Sequence, residues 1–324
     1  MNTRGRWLVG IGALAAMMMI GPADAADTGK KIKVLTTVAP ITNIVRNVAG
    51  SNVELHGLIP EGSDSHTFEP VPSDVKYVAN ADLIIINGLH LETPTMHLVD
   101  ANKKKGSVVV QLADQTIAKK EWVFDFSFPA DKGDPNPHLW LNAAHGMKYA
   151  ELVRNALVKV DPANKAAYDA NATAYLAKLK QLDEAIMATM KTIPEKNRKL
   201  VTYHDSWAYF CPRYGCKVIG AVQPSDFAQP TPQDMVALIN QLKAEAVPAI
   251  FGSEVFPSKV LDQIGREAGV NYVDTLRDDD LPGGLDDPKH TYVGMMKENV
   301  ETMARVLGGD ASALKNIDPS NVGK

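Results

Sequence analysis

The sequence lacks the features that mark several large classes of protein. Among its 324 residues are only two cysteines, and its net charge of -4 without a basic stripe excludes a typical nucleic-acid-binding composition. After the N-terminal segment no run of 18 apolar residues occurs, so no further membrane-spanning helix is predicted. The chain is 45% hydrophobic and 22% charged, which is typical of soluble globular proteins and too apolar for a disordered one. Its length favours about two domains.

Residues 1–25 have the pattern of a secretory signal peptide. Arg4 and Arg6 precede an apolar run from Trp7 to Ile20, which is shorter than the roughly 20 residues of a membrane span. A small-x-small cleavage pattern, A-D-A, follows at 23–25. We predict cleavage and export to a bacterial periplasm, with an uncleaved anchor as the alternative. Lipid attachment is not expected, because no cysteine lies near the cut.

The two cysteines, Cys211 and Cys216, stand close together in C-P-R-Y-G-C. An exported protein retains disulfides, and Pro212 and Gly215 favour a turn between the two thiols. We therefore predict a disulfide. A structural zinc site is the weaker interpretation, because there is no second cysteine pair.

Short β-branched runs alternate with helical stretches in both halves of the chain, a pattern that predicts α/β lobes with mainly parallel sheets. Strands are predicted at 33–38, 53–59, 83–86, 108–110, 200–203, 217–219, 249–251 and 271–273. The two halves also share the pattern [EQ]-P-x-P-x-D before a helix, at 69–74 and 229–234. This weak repeat indicates two similar lobes.

One long amphipathic helix is predicted between the halves, from about Pro162 to Met190, with apolar residues three and four apart. At 1.5 Å per residue it spans about 42 Å, which fits a rigid connection between two lobes; a surface helix of one domain is the alternative. The predicted organisation is an N-terminal lobe at 26–160, a linking helix at 161–194 and a C-terminal lobe at 195–324.

Four candidate ligands lie where parallel strands end or in irregular segments nearby. His66 follows the second predicted strand, His204 follows the strand 200–203, Asp274 follows the strand 271–273, and His138 lies in D-P-N-P-H-L-W-L-N. Sites in α/β proteins form beyond the carboxyl ends of strands. Three imidazoles and a carboxylate suit zinc, so a metal site between the lobes is predicted.

Other candidates are weaker. His90 and His97 are seven apart on a helix-like stretch and are expected to share an exposed face. The acidic run 278–280 is expected to be a solvated loop. Asp279 or Asp280 remains an alternative to Asp274 as the carboxylate ligand.

Four ordered motifs carry a resemblance to a known family: S-H-T-F-E-P-V-P-S-D, D-P-N-P-H-L-W-L-N, T-Y-H-D-S-W-A-Y-F and Y-V-D-T-L. Over about residues 31–310 the chain resembles the metal receptors, cluster A-I, among the periplasmic solute-binding proteins of zinc and manganese importers. The resemblance implies two βα lobes joined by one rigid helix and one metal per chain, at His66, His138, His204 and Asp274. It also implies an ABC permease as partner, with a periplasmic metal chaperone as a further candidate, and a monomer.

Two departures bear on the metal. Zinc-specific relatives often have a His-rich loop before the second ligand, whereas residues 121–136 contain Asp125, Asp131 and Asp134 but no histidine. Manganese-specific relatives often have Glu at the third ligand position, which here is His204. Because imidazole suits zinc and carboxylate suits manganese, we expect Zn²⁺, with Mn²⁺ as the alternative.

Outer partners of the ligands are predicted from proximity along the chain. Asp205, Glu69 and Glu254 are candidates for orienting the ligand side chains. Because ligating imidazoles must be neutral, binding is expected to weaken as the pH falls toward about 6. A zinc hydrolase would need an open coordination position, and the chain has no H-E-x-x-H motif. An enzyme and an adhesion protein are therefore the remote alternatives.

Overall fold

The computed structural model describes Met1 and residues 30–223, 230–255 and 258–322. Apart from Met1, the predicted signal peptide lies outside the described residues. Residues Lys31–Lys324 form one compact unit. Among the described residues, no helix has both the length and the apolar character needed to cross a bilayer.

The first half of this unit contains a four-stranded parallel sheet. Its strands are β1 (Ile32–Thr36), β2 (Val53–Gly57), β3 (Leu83–Ile86) and β4 (Val108–Gln111), in the order β2-β1-β3-β4. All four residues of the central strand β3 are buried, as expected where helices cover both faces of a parallel sheet. Each predicted strand is confirmed, with ends that differ by up to two residues.

The second half repeats this topology. Its strands are β5 (Lys199–Thr202), β6 (Lys217–Ala221), β7 (Ala249–Ser253) and β8 (Asn271–Leu276), in the order β6-β5-β7-β8, again all parallel. The strand β8 continues three residues beyond its predicted end. The two similar parallel-sheet α/β lobes predicted from the alternating pattern are thus confirmed.

Ten α-helices accompany these strands in the described part of the chain. They are α1 (Ala39–Ala49), α2 (Val75–Asn80), α3 (Thr93–Asn102), α4 (Leu112–Thr116), α5 (Ala143–Val160), α6 (Lys165–Thr192), α7 (Phe210–Tyr214), α8 (Pro232–Ala244), α9 (Lys259–Ala268) and α10 (Tyr292–Leu307). Local chemistry sets several of their starts. The side chain of Asn142, for example, accepts the N–H of Ala144 at 3.0 Å and caps α5.

The long helix α6 packs against both halves of the chain. It has 28 residues and contacts α1 and α5 of the first half and α7 and α10 of the second. Tyr168, Tyr175 and Leu179 on its apolar face are fully buried. They belong to a hydrophobic core that runs without interruption from Val34 in β1 to Phe251 in β7. One core therefore joins the two sheets through α6.

The predicted disulfide is present. Cys211 in α7 and Cys216 immediately before β6 are bonded, with their Cα atoms 4.5 Å apart. Gly215 ends α7 with φ of 78°, a left-handed conformation that glycine adopts without strain. The bridge fixes the turn that leads from α7 into β6.

Candidate metal centre

Three of the four predicted ligands meet in one cluster. His66 lies in the loop between β2 and α2, His138 precedes a short 3-10 turn, and His204 follows the end of β5. One ring nitrogen from each lies within 4.8 Å of the other two, and no larger group of His, Cys, Asp or Glu meets this limit among the described residues. The Nε2 of His138 is 3.2 Å from that of His66 and 3.2 Å from that of His204.

Burial keeps two of these imidazoles neutral. His138 is completely inaccessible to solvent and His66 is partly exposed. Burial, and then the nearby His204, lower the pKa of His66 well below its usual value. Burial, and then the nearby His204 and His66, lower the pKa of His138 well below its usual value. Neutral imidazole is the form that binds a metal ion.

The side chain of Asn136 orients the central histidine. Its Oδ1 accepts the N–H of His138 at 3.0 Å and lies 2.9 Å from the Nδ1 of the same ring. The Nδ2 of Asn136 donates to Asp125 Oδ2 at 2.8 Å and to the carbonyl of Asp205 at 2.5 Å. These two acceptors fix which end of the amide faces the ring. Nδ1 of His138 is therefore the protonated nitrogen, and Nε2 presents its lone pair to the cluster.

The two residues that accept from the Asn136 amide, Asp125 and Asp205, are both acidic. Asp125 Oδ1 accepts the N–H groups of Ser127 and Phe128, each at 3.1 Å. Burial raises the pKa of Asp125 to about 6. Asp205, predicted to orient a ligand, accepts the N–H of Trp207 at 3.3 Å, and its main-chain carbonyl supports Asn136. Burial, and then Asp125, raise the pKa of Asp205 to about 8.

The structure does not bring Asp274 into the cluster. The strand β8 runs on to Leu276, so Asp274 lies inside the strand instead of at its end, and its side chain is exposed. The prediction that this residue contributes to the cluster is therefore corrected. A carboxylate that does approach a ring of the cluster, that of Asp278, belongs to the turn after β8.

The acidic run 278–280 is not the solvated loop expected from the sequence. Asp278 and Asp279 are 3% and 4% exposed. Asp278 Oδ2 lies 3.2 Å from His204 Nε2, and its Oδ1 accepts the hydroxyl of Ser253 at 3.0 Å. Asp279 Oδ2 accepts the N–H of Ser65, the residue before His66, at 3.1 Å. Burial, and then Asp278, raise the pKa of Asp279 well above its usual value.

Glu254, at the end of β7, holds this turn in place. Its Oε1 accepts the N–H groups of Asp278 and Asp279 at 3.2 Å and that of Asp280 at 2.8 Å. Asp280 Oδ2 in turn accepts the N–H of Gly62 at 2.8 Å. The turn that carries the candidate carboxylates is thus anchored to β7 on one side and to the His66 loop on the other.

Glu69 and the remaining histidine pair are placed differently from expectation. Glu69 is exposed, and the His66 loop is instead held by Asp64, whose Oδ1 accepts the N–H of His66 at 2.9 Å. His97 is exposed on α3, whereas His90 precedes that helix with φ of 65°. Both histidines are exposed, as expected, but they do not share a helical face, because the chain turns sharply after His90 and α3 begins only at Thr93.

Comparison with known proteins supports the same fold. The structure resembles that of a periplasmic zinc-binding protein, TroA, from Treponema pallidum, with a TM-score of 0.77 and 28% identity, covering 86% of this chain and 99% of that one. Among relatives, an iron-binding protein, YfeA, of Yersinia pestis is 29% identical, covering 93% and 94% of the two chains. The manganese ABC transporter substrate-binding lipoprotein PsaA of Streptococcus pneumoniae is 30% identical, covering 88% and 91%.

Two parallel-sheet lobes with a histidine cluster near their strand ends, together with these relatives, define a metal-binding substrate receptor of an ABC importer. Such proteins are the substrate-binding components of transporters and are not enzymes. Residues 34–306 match the family described as zinc-uptake complex component A, periplasmic. The chain belongs to this family.

Proposed function

We propose that this protein is a periplasmic receptor that binds one Zn²⁺ and delivers it to the membrane permease of an ABC importer. The proposed ligands are His66, His138, His204 and Asp279. The observation that carries the proposal is the close approach of three imidazoles in a largely buried site. The Nε2 atoms of His66 and His204 each lie 3.2 Å from the Nε2 of His138.

The spacing of these nitrogens suits zinc. Ligand nitrogens lie about 2.0–2.1 Å from Zn²⁺, so two of them at a tetrahedral angle are roughly 3.3 Å apart. The separations from His138 Nε2 to His66 Nε2 and to His204 Nε2 are both close to this value. The lowered pKa values of His66 and His138 leave these rings neutral at neutral pH, so no imidazole proton has to be removed from them.

Asp279 is our choice for the fourth ligand. Asp278 also approaches the cluster: its Oδ1 accepts the hydroxyl of Ser253, and its Oδ2 lies 3.2 Å from His204 Nε2. In Asp279, Oδ2 is held by Ser65, whereas Oδ1 is buried with no hydrogen-bond partner in the described structure. A buried, unpaired carboxylate oxygen is costly unless it meets a cation. Asp279 was the alternative to Asp274 in the sequence, and its environment supports it.

The composition of the ligand set favours zinc over manganese. Imidazole nitrogens suit Zn²⁺, whereas Mn²⁺ prefers carboxylate, carbonyl and water oxygens. His204 supplies a third imidazole, so oxygen ligands are the minority. Manganese remains the second candidate, because relatives such as the pneumococcal PsaA are named for it.

We propose that delivery to a permease involves small local motions, while the two lobes keep their relative positions. The lobe boundaries predicted above, 26–160 and 195–324 with the link at 161–194, are part of this proposal. The continuous core through α6 supports limited hinge motion, because separating the lobes would expose apolar residues that are now buried. Export through the signal peptide at 1–25, a monomeric state and a metal chaperone remain predictions.

A competition titration tests the proposal. The metal-stripped protein and a chromophoric chelator would share a limited amount of zinc, and the ratio of bound forms would give the Kd. We expect one zinc per chain, and a large loss of affinity in His138→Ala. The matched control is His97→Ala, which removes an exposed histidine from α3. Equal affinities in the two variants would overturn the assignment of the site.

A further inference from the structure

A cavity of about 110 Å³ opens beside the histidine cluster. His66 lines it together with Phe128, Leu91 and three prolines, and its remaining wall includes His90 and Asp134. His66 is the partly exposed member of the cluster, whereas His138 and His204 are buried. A hydrated ion that approaches the cluster through this cavity therefore reaches His66 first.

His90 and Asp134 form a pair on the wall of this cavity. His90 Nδ1 lies 3.6 Å from Asp134 Oδ1, and the two side chains are 57% and 58% exposed. As an ion pair, such an exposed contact stabilises the fold very little. As ligand atoms, an imidazole nitrogen and a carboxylate oxygen at this separation can both reach one Zn²⁺, since each needs to lie only about 2.0–2.2 Å from it.

The backbone that presents His90 is held in an uncommon conformation. Leu89 and His90 have φ of 48° and 65°. Positive φ is unfavourable for a leucine and persists only where the surroundings impose it. Here the buried carboxylate of Glu92 accepts the N–H groups of Asn87 at 2.8 Å and Gly88 at 3.1 Å, which fixes the turn. The turn therefore fixes the backbone from which His90 projects into the cavity.

The backbone of the segment that contains Asp134 is also restricted. Gly133 ends a short 3-10 turn in the left-handed region, with φ of 86°, and Pro135 and Pro137 restrict the chain that follows. Asn136 donates its main-chain N–H to Val123 at 2.8 Å. The pair is thus assembled from two separate loops that meet over the route to His66.

We infer that His90 and Asp134 form a transit site, a pair of weak ligands that hold a divalent cation briefly on its way into and out of the His66 cluster. This inference rests on the proposed function. Two protein ligands with water at the other positions bind more weakly than the four-ligand site, as transit requires. Lys132 is the other charged residue of the cavity wall and offsets the charge of Asp134, so holding a cation there depends on ligation by the pair and not on the net charge of the wall.

A transit site changes rates more than affinity. Removing it slows entry and release together, because both pass through it, and leaves the Kd of the cluster unchanged. Stopped-flow mixing of metal-stripped protein with zinc would measure the rates. Tryptophan fluorescence is a suitable signal, since the Trp140 ring lies 5.0 Å from that of His138. We expect the His90→Ala/Asp134→Asn double variant to bind and release zinc about tenfold more slowly, which corresponds to about 1.4 kcal/mol in each barrier.

Two controls separate ligation from charge. Asp131→Asn removes the same charge from the same loop outside the cavity wall, and His97→Ala removes an exposed histidine from α3. Rates close to wild type in both controls, with slow rates in the double variant and an unchanged Kd, support the transit site. Unchanged rates in the double variant, or equal slowing in Asp131→Asn, would overturn it. Failure of wild-type protein to bind zinc at all would instead refute the proposed function.

Discussion

The main-chain N–H of Ser65 donates to Asp279 Oδ2 at 3.1 Å. Ser65 precedes His66 in a loop of the N-terminal lobe, and Asp279 lies in the turn after β8 of the C-terminal lobe. A second bond of the same kind joins Gly62 to Asp280 at 2.8 Å. The segments that carry the candidate ligands of the two lobes are thus linked by hydrogen bonds, which lowers the cost of organising the site.

The choice of carboxylate ligand leads to the first prediction. Asp279→Asn should weaken zinc binding by more than about 100-fold, exceeding the 10–100-fold effect typical of an outer partner. Asp274→Asn, at an exposed position in β8, should leave the Kd unchanged. Both would be measured by chelator competition. A strong loss in Asp274→Asn with none in Asp279→Asn would restore the assignment drawn from the sequence.

The orientation of His138 by Asn136 leads to the second prediction. Asn136→Ala should lower zinc affinity about 10–100-fold, because the ring loses the acceptor that fixes its tautomer and orientation. Asn102→Ala, which removes an asparagine bonded to the Leu98 carbonyl within α3, is the matched control. If the two variants bound zinc equally well, Asn136 would have no part in positioning the ligand.

The pH dependence of zinc binding leads to the third prediction. The lowered pKa values of His66 and His138 mean that the folded protein disfavours their protonation, so proton competition at these two rings should not weaken zinc binding as the pH falls through 6.5. The loss of affinity caused by protonation of these two imidazoles is thus expected at lower pH than the sequence indicated. Because the pKa of Asp279 is raised, zinc displaces a proton from this carboxyl.

This third prediction is checked by Kd values at a series of pH values between 7.5 and 4.5. Asp279→Asn should flatten the dependence, since the group that exchanges a proton with zinc is gone. A steep loss of affinity already between pH 7.5 and 6.5, unaltered by Asp279→Asn, would contradict the assignment of neutral imidazoles.

The buried carboxyl of Asp205 leads to the fourth prediction, on stability. Its folded-state pKa of about 8 lies above the usual value of 3.8, so protonated Asp205 is favoured by folding and stability is lost as the pH rises. In the metal-free protein, the stabilising effect of Asp205→Asn should therefore grow between about pH 4 and pH 8, by up to about 1.4 kcal/mol per pH unit. Urea unfolding across this range measures it, with the exposed Asp131→Asn as control. An effect independent of pH would mean that Asp205 titrates normally.

Much of the fold could be predicted from local patterns. The buried β-branched run at 83–86 and the apolar spacing of α6 each specify an element almost without tertiary information. His66, His138 and His204 could be found because they follow or interrupt such elements. In these cases the local preference and the tertiary environment agree.

The carboxylate side of the site could not be predicted in the same way. Asp274 was chosen because β8 was expected to end at 273, and an error of three residues moved the choice from the turn into the strand. The run 278–280 looks solvated in sequence because the N–H donors of Gly62 and Ser65, and the acceptor Glu254, lie far away along the chain. The role of Asn136 was missed as well, although its position two residues before His138 was an available signal.

The most direct test of the central claim is a thermal melt of the metal-stripped protein titrated with zinc and, separately, with manganese. The account predicts that one equivalent of zinc suffices and that free zinc at about 1,000 times its Kd adds about 4 kcal/mol to the free energy of unfolding, with little response to manganese. Stabilisation by manganese in preference to zinc would contradict the metal assignment, and no response to either ion would contradict the four-ligand site itself.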